Sequence, residues 1–257
     1  MLRRGNTSPH LPAVSPTDHL TSLKAHEDCC HYPICRKRRK DEEGGKQTLP
    51  PSADKPILAH TLSPFEESPL VHEVIVTVSP GEIEYCRREV IEAFRITKVN
   101  RVLAGGKERQ DSIWEGLKKV PSDCGIVIIH DGVRPLVTRG LIEASIAAAQ
   151  RYGAAVPALP LKDTVKMVSS EHEVIETPAR NTLMAIQTPQ TFQFDIIRKA
   201  YEKAMNEGFY GTDDSLLVER IGIKVRVIPG GYENLKITTP EDLILAEVLL
   251  KQRKNEG

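Results

Sequence analysis

The residues of this chain best able to do chemistry lie in two short polar clusters. These are Gly105-Gly-Lys-Glu-Arg109-Gln-Asp-Ser112 and, eighteen residues further on, His130-Asp-Gly-Val-Arg134-Pro135. In the first, the Gly105-Gly106 pair permits positive φ and close backbone approach to a flat ligand. Arg109 and Ser112 follow at the start of a helix, where free N–H groups and a hydroxyl hold an anion. In the second, Asp131 and Arg134 place a carboxylate and a guanidinium at one crevice mouth. The guanidinium can grip phosphate bidentately while the carboxylate fixes a hydroxyl or a hydrated metal. Each cluster alone has a plainer reading, a turn in one case and a loop-closing ion pair in the other. Together they point to a nucleotide or phosphate-ester site. Lys162, Arg180 and Lys236 add cations near the ends of other elements.

Both clusters sit at the carboxyl ends of apolar, β-branched runs, where an open α/β sheet places its ligand crevice. Strands are predicted at 72–78, 98–103, 125–130, 153–159 and 224–228, and helices at 110–119, 138–151, 192–206 and 213–221. Ser79-Pro-Gly-Glu82 has the pattern of a capping box with proline at the first helical position, and Thr239-Pro-Glu-Asp242 caps the last helix. This alternation describes an α/β fold, a parallel sheet wound by helices. It breaks between Leu161 and Leu183, where Val165–Val168 and Glu173–Glu176 flank a polar turn and predict a hairpin standing outside the sheet. The economical picture is one domain with one arm.

The 257 residues are 40% hydrophobic and carry zero formal net charge, enough for a sizeable core and without a basic field for nucleic acid or anionic membrane. No run reaches the length of a membrane span, and the first residues lack a signal-peptide apolar core. Of five cysteines, Cys86 and Cys124 lie inside apolar elements and read as reduced, which fits a cytoplasmic enzyme. Residues 1–54 differ from the rest: they are rich in proline, His, Lys and Asp, and show no apolar period long enough for a strand. His26, Cys29, Cys30, His31 and Cys35 do not match common zinc spacings, so no metal site is assigned. The basic run Arg36–Lys40 reads as solvated.

From Lys55 onward the chain resembles the 2-C-methyl-D-erythritol 4-phosphate cytidylyltransferases of the non-mevalonate isoprenoid pathway. The matching pieces are Lys55-Pro-Ile-Leu-Ala-His60, the two clusters above, Lys162-Asp-Thr164, Arg180-Asn181, Thr188-Pro-Gln190, Thr212-Asp-Asp214 and Asn234-Leu-Lys-Ile-Thr238. The resemblance implies a Rossmann-like, nucleotide-diphospho-sugar transferase-like fold with a projecting β-arm at about 161–183 for dimerisation. It also implies transfer of CMP from CTP, carried with Mg²⁺, to 2-C-methyl-D-erythritol 4-phosphate, giving 4-diphosphocytidyl-2-C-methyl-D-erythritol and pyrophosphate. Gly105, Gly106, Arg109, Ser112 and Gly132 would bind the nucleotide; Asp131, Arg134, Thr164 and Arg180 would bind the polyol phosphate, Arg180 reaching the neighbouring subunit's site. Lys46, Lys236 and Arg39 would be catalytic, Lys46 and Arg39 on the triphosphate.

In this family a first apolar strand runs into a Pro-Ala-Ala-Gly-x-Gly-x-Arg-Met loop that cradles the triphosphate. The corresponding Ala25–Lys40 shows neither. Residues 1–45 therefore read as an atypical, disordered or mis-framed segment before a cytidylyltransferase domain at 46–257. As written, a core strand is missing, and weak CTP binding and low stability are expected. Ribitol 5-phosphate cytidylyltransferases and non-catalytic homologues without the loop are the alternatives.

Overall fold

The computed structural model describes residues 31–36 and 55–256. In chain order the elements begin with β1 (His31–Arg36), α1 (Ile57–Glu67), β2 (Val74–Val78), α2 (Ile83–Cys86), β3 (Val99–Ala104), α3 (Arg109–Leu117), β4 (Ile126–Asp131), α4 (Arg139–Tyr152) and β5 (Ala154–Pro160). Then come β6 (Met167–Val168), β7 (Val174–Glu176), β8 (Met184–Ile186), β9 (Gln190–Gln193), α5 (Phe194–Asn206), α6 (Asp214–Arg220), β10 (Arg226–Pro229) and α7 (Pro240–Glu256).

The main sheet runs β10-β5-β9-β4-β1-β2-β3, with β8 added to β5. Its β1, β2, β3 and β4 pair in parallel, as do β5 and β10. Alternating side chains on the central strands feed two opposite cores. Ile75, Val127 and Ile129 pack on the side of α3, α5 and α6 with Ile113, Phe192 and Tyr201. Val74, Val76 and Ile128 pack on the side of α1 and α4 with Leu62, Phe65 and Ile146. Burial on both faces explains why β2 and β4 read as continuous apolar runs.

Three sequence expectations are corrected and one element is added. The strand thought to be missing is present: β1 lies between β2 and β4, with Ile34 opposite both Ile75 and Ile129. His31-Tyr-Pro-Ile-Cys-Arg36 has no apolar period, and Pro33 supplies no N–H to the ladder, so only the sheet around it marks it as a strand. Second, Gln190–Gln193 forms an antiparallel strand between β4 and β5 instead of opening a helix, which makes the sheet mixed. Its polar residues are buried but paired: Thr191 donates to Ser145 Oγ at 2.8 Å and Gln190 Nε2 to Asp213 Oδ2 at 2.8 Å. Third, Ser79 makes no side-chain cap. The Glu82 N–H donates to the Ser79 carbonyl at 2.8 Å, closing a short 3₁₀ turn at Pro80-Gly81, before α2 and a π-helical stretch at Arg87–Glu92. The added element is α1.

Elsewhere the local reasoning holds. Thr138 caps α4 by accepting from the Leu141 N–H, and Gly153 ends it at φ 86°, where a side chain would strain the turn. At α7, Asp242 and Thr239 exchange side chain-to-backbone bonds as a capping box. The arm forms its own two-stranded sheet of β6 and β7, with Met167, Val168, Val174 and Ile175 exposed. Among the described residues no helix is long and apolar enough to cross a membrane.

Candidate active site

The chain leaves β1 toward β2 and β3 on one side, while β4 and the strands beyond it lie on the other. The carboxyl ends of β1 and β4 therefore flank the point where strand order reverses, and Arg36 and Asp131 are in register there. Asp131, only 7% exposed, ends β4 beneath three cations. Arg109 Nε lies 3.3 Å from Oδ1; Lys236 Nζ lies 2.9 Å and Arg134 Nε 3.5 Å from Oδ2. Burial works against ionisation of this carboxyl, but Arg109, then Lys236 and Arg134, outweigh it and hold it well below the usual carboxylate range. Arg134 loses proton affinity through its own burial, offset in part by Asp131.

A second carboxylate braces the first guanidinium. Asp214, at the start of α6, takes Arg109 bidentately at 3.0 and 2.6 Å and also accepts from the buried Tyr201 hydroxyl. Burial opposes the charge on Arg109, yet Asp214 and Asp131 raise its affinity for the proton above that of a free guanidinium. Three cations against two carboxylates leave a positive surplus, which suits an anionic ligand. Arg109 also lines a cavity of about 450 Å³ of mixed charge, with Lys107, Glu108, Tyr210, Asp213 and Asp214.

Behind Asp131, His130 is buried and serves structure. The Thr188 hydroxyl accepts from the Asp131 N–H at 3.1 Å and donates to His130 Nδ1 at 3.1 Å, which leaves Nε2–H facing the Arg134 carbonyl at 3.4 Å. Burial pushes the imidazole down to about 3, against the pull of Asp131, so the ring is neutral at physiological pH.

The family model described as 2-C-methyl-D-erythritol 4-phosphate cytidylyltransferase matches residues 36–252. A curated protein of that name from Alkaliphilus oremlandii is 46% identical over 217 residues, 84% of this chain and 92% of the relative. One from Caldanaerobacter subterraneus subsp. tengcongensis is 48% identical over 200 residues, 78% and 88% of the two chains. The chain belongs to this family. Among solved structures, the cytidylyltransferase is similar to the 4-diphosphocytidyl-2C-methyl-D-erythritol synthase of Anaerococcus prevotii, with TM-score 0.76 and 30% identity over 88% of this chain and all of the other. Its similarity to the Thermus thermophilus enzyme has TM-score 0.69 and 31% identity, covering 87% of this chain and 99% of the other.

In this cytidylyltransferase the predicted residues divide into groups. Asp131, Arg134, Arg109 and Lys236 come together as one cluster. Gly105 and Gly106 link β3 to α3, and neither has positive φ. What excludes a side chain there is the contact with α3: a Cβ on Gly105 would lie 2.7 Å from Ser112 Oγ, and one on Gly106 2.2 Å from Asp111 Cβ. The Ser112 hydroxyl does not point an unspent proton at a ligand, because it is buried and donates to the Glu108 carbonyl at 3.1 Å. Gly132 is buried, its carbonyl accepting from Thr61 at 3.0 Å. Thr164 and Arg180 are exposed on the arm, and Arg180 donates to the Lys162 carbonyl at 2.7 Å. Arg39 and Lys46 lie outside the described residues.

Sequence reasoning gave no role to Asp214, Tyr201, Thr188, Gln187 or Asn234. Asp214 is 105 positions from the guanidinium it holds, and neighbouring spacing carries no trace of such a pairing. The only available signal was its place in the Thr212-Asp-Asp214 match, where Asp213 caps α6 by accepting from the Leu216 N–H.

Proposed function

We propose that this enzyme transfers CMP from CTP to 2-C-methyl-D-erythritol 4-phosphate, giving 4-diphosphocytidyl-2-C-methyl-D-erythritol and pyrophosphate. The observation that carries the reading is Asp131 at the strand-order reversal with Arg109, Arg134 and Lys236 around it. A substrate phosphate oxygen attacks the α-phosphorus of CTP in line, the bond to the bridging oxygen breaks, and its electron pair leaves with pyrophosphate. Lys236 and Arg134 receive the polyol phosphate and spread the charge that develops on the transferred group. The backbone at Gly105, Gly106 and Gly132 lies against the nucleoside, with Arg109 and Ser112 holding that wall in shape. Arg39 and Lys46, on the chain that follows β1, are the candidate triphosphate contacts.

A divalent cation would be carried by the triphosphate oxygens themselves, since Asp131 already pairs with Arg109, Lys236 and Arg134. Bound there, it would stabilise charge on the departing pyrophosphate. The exposed apolar arm supports a homodimer in which Thr164 and Arg180 serve a polyol-phosphate site, Arg180 the one in the neighbouring subunit. Pyrophosphate release with CTP, Mg²⁺ and each polyol phosphate tests the reading. Turnover with methylerythritol phosphate and little with ribitol 5-phosphate is expected; no release above background with methylerythritol phosphate refutes it.

A further inference from the structure

The turn that carries Lys236 is held by a buried polar lattice with no assigned role. Gln187, at the end of β8, is buried, and its own N–H donates to the Pro157 carbonyl of β5 at 2.8 Å. Its carboxamide pairs with the Gly231 backbone as a strand would: Nε2 donates to the Gly231 carbonyl at 2.9 Å, and the Gly231 N–H donates to Oε1 at 3.2 Å. The approach is so close that a Cβ on Gly230 would lie 2.6 Å from Gln187 Oε1. Asn234, 3% exposed, donates from Nδ2 to the Thr188 carbonyl at 2.8 Å, while its carbonyl accepts from Arg134 Nη1 at 2.7 Å. The Ile237 N–H then closes on the Val133 carbonyl at 2.9 Å.

Lys236 is thus strung between two fixed points, Asn234 and Ile237. Its side chain is 38% exposed and reaches Asp131 at 2.9 Å, so the direction of the ammonium depends on that ion pair and on where the turn places its backbone. The ion pair forms only if the backbone of the turn brings Lys236 within reach. The same lattice fixes Arg134, because Nη1 is committed to the Asn234 carbonyl at 2.7 Å while Nε faces Asp131 Oδ2 at 3.5 Å. Thr188 extends the lattice to the Asp131 N–H. One connected set of bonds therefore positions the anion and two of the cations that surround it.

We infer that Gln187 and Asn234 are positioning residues, which hold the 230–237 turn so that Lys236 and Arg134 meet the polyol phosphate in reactive geometry. This rests on the function proposed above. Misplacing a reacting group by about 1 Å costs about 100-fold in rate. Gln187→Met keeps the volume and removes both bonds to Gly231. It is expected to lower kcat/KM for the polyol phosphate by about 10–100-fold while the KM for CTP stays within about twofold.

The deciding measurement is a double-mutant cycle with Lys236→Ala. Because Gln187 acts largely through Lys236, Gln187→Met in that background is expected to cost under about threefold. Loss of the full factor again, or an equal rise in both KM values, overturns the inference. If Gln187→Met melts below the assay temperature, Gln187→Glu, which retains the acceptor for the Gly231 N–H, carries the same cycle and the same criteria. Failure of the wild-type enzyme to turn over methylerythritol phosphate would instead sink the proposed function, so the two failures are distinguishable.

Discussion

Replacing Asp131 by Asn leaves the shape of the site intact and removes the charge that reconciles three cations. At an effective dielectric of about 20, a unit charge pair at the observed 2.9–3.5 Å is worth about 5 kcal/mol before desolvation. Lys236 is more than a third exposed, so water screens its share toward the surface range of about 0–1 kcal/mol. Arg109 keeps Asp214, whereas Arg134 loses the one carboxylate that pairs with it among the described residues. Stranding a buried cation in this way costs about 3–5 kcal/mol, and that is the expected loss in guanidinium unfolding at pH 7 with m unchanged. The pH dependence has a definite sign. The folded-state carboxyl titrates below its unfolded value of about 3.9, so its contribution is complete above that pH and disappears as pH falls through the folded value. The wild-type and Asp131→Asn stability curves should stay separated from pH 8 to 5 and draw together in acid. A difference under about 1 kcal/mol at pH 7, or parallel curves into strong acid, would refute the reasoning.

Gly106→Ala should destabilise the protein by about 1–3 kcal/mol and raise the KM for CTP, since its Cβ would fall 2.2 Å from Asp111 Cβ; thermal melts and CTP titration check both. Tyr201→Phe deletes the hydroxyl that donates to Asp214 and should cost about 1–3 kcal/mol with kcat for the transfer preserved, as read from melts beside pyrophosphate release. His130 should show no titration between pH 5 and 8 by heteronuclear NMR of the imidazole, because burial has moved its protonation to about 3; an inflection near neutrality contradicts the packing described.

The parallel half of the sheet was legible because β2 and β4 are buried on both faces and their apolar runs end at polar clusters. The same logic located Asp131 and Arg134, three residues apart on one loop. It could not find β9, whose buried Gln190 and Thr191 have partners on α6 and α4, far along the chain. Nor could it find the Arg109–Asp214 brace or the Gln187–Asn234 lattice, which join residues separated by 105 and 47 positions. Spacing rules report neighbours on one element; long-range polar pairing becomes visible only when the sheet brings the elements together.

β1 makes the same point from the opposite direction. A strand between β2 and β4 is demanded by the sheet whatever the sequence offers, because two buried strands cannot leave their N–H and C=O groups unpaired. His31-Tyr-Pro-Ile-Cys-Arg36 fills that place with one proline and one β-branched residue. If the lattice around it imposes the strand, Pro33→Val should raise the melting temperature by restoring a ladder donor, at a gain of about 0.5–1.5 kcal/mol. Unchanged or reduced stability would mean that this segment is not the strand completing the sheet. Asp131 lies in register with Arg36 at the end of β1, so a failure there would also detach Arg39 and Lys46 from the crevice they are proposed to serve.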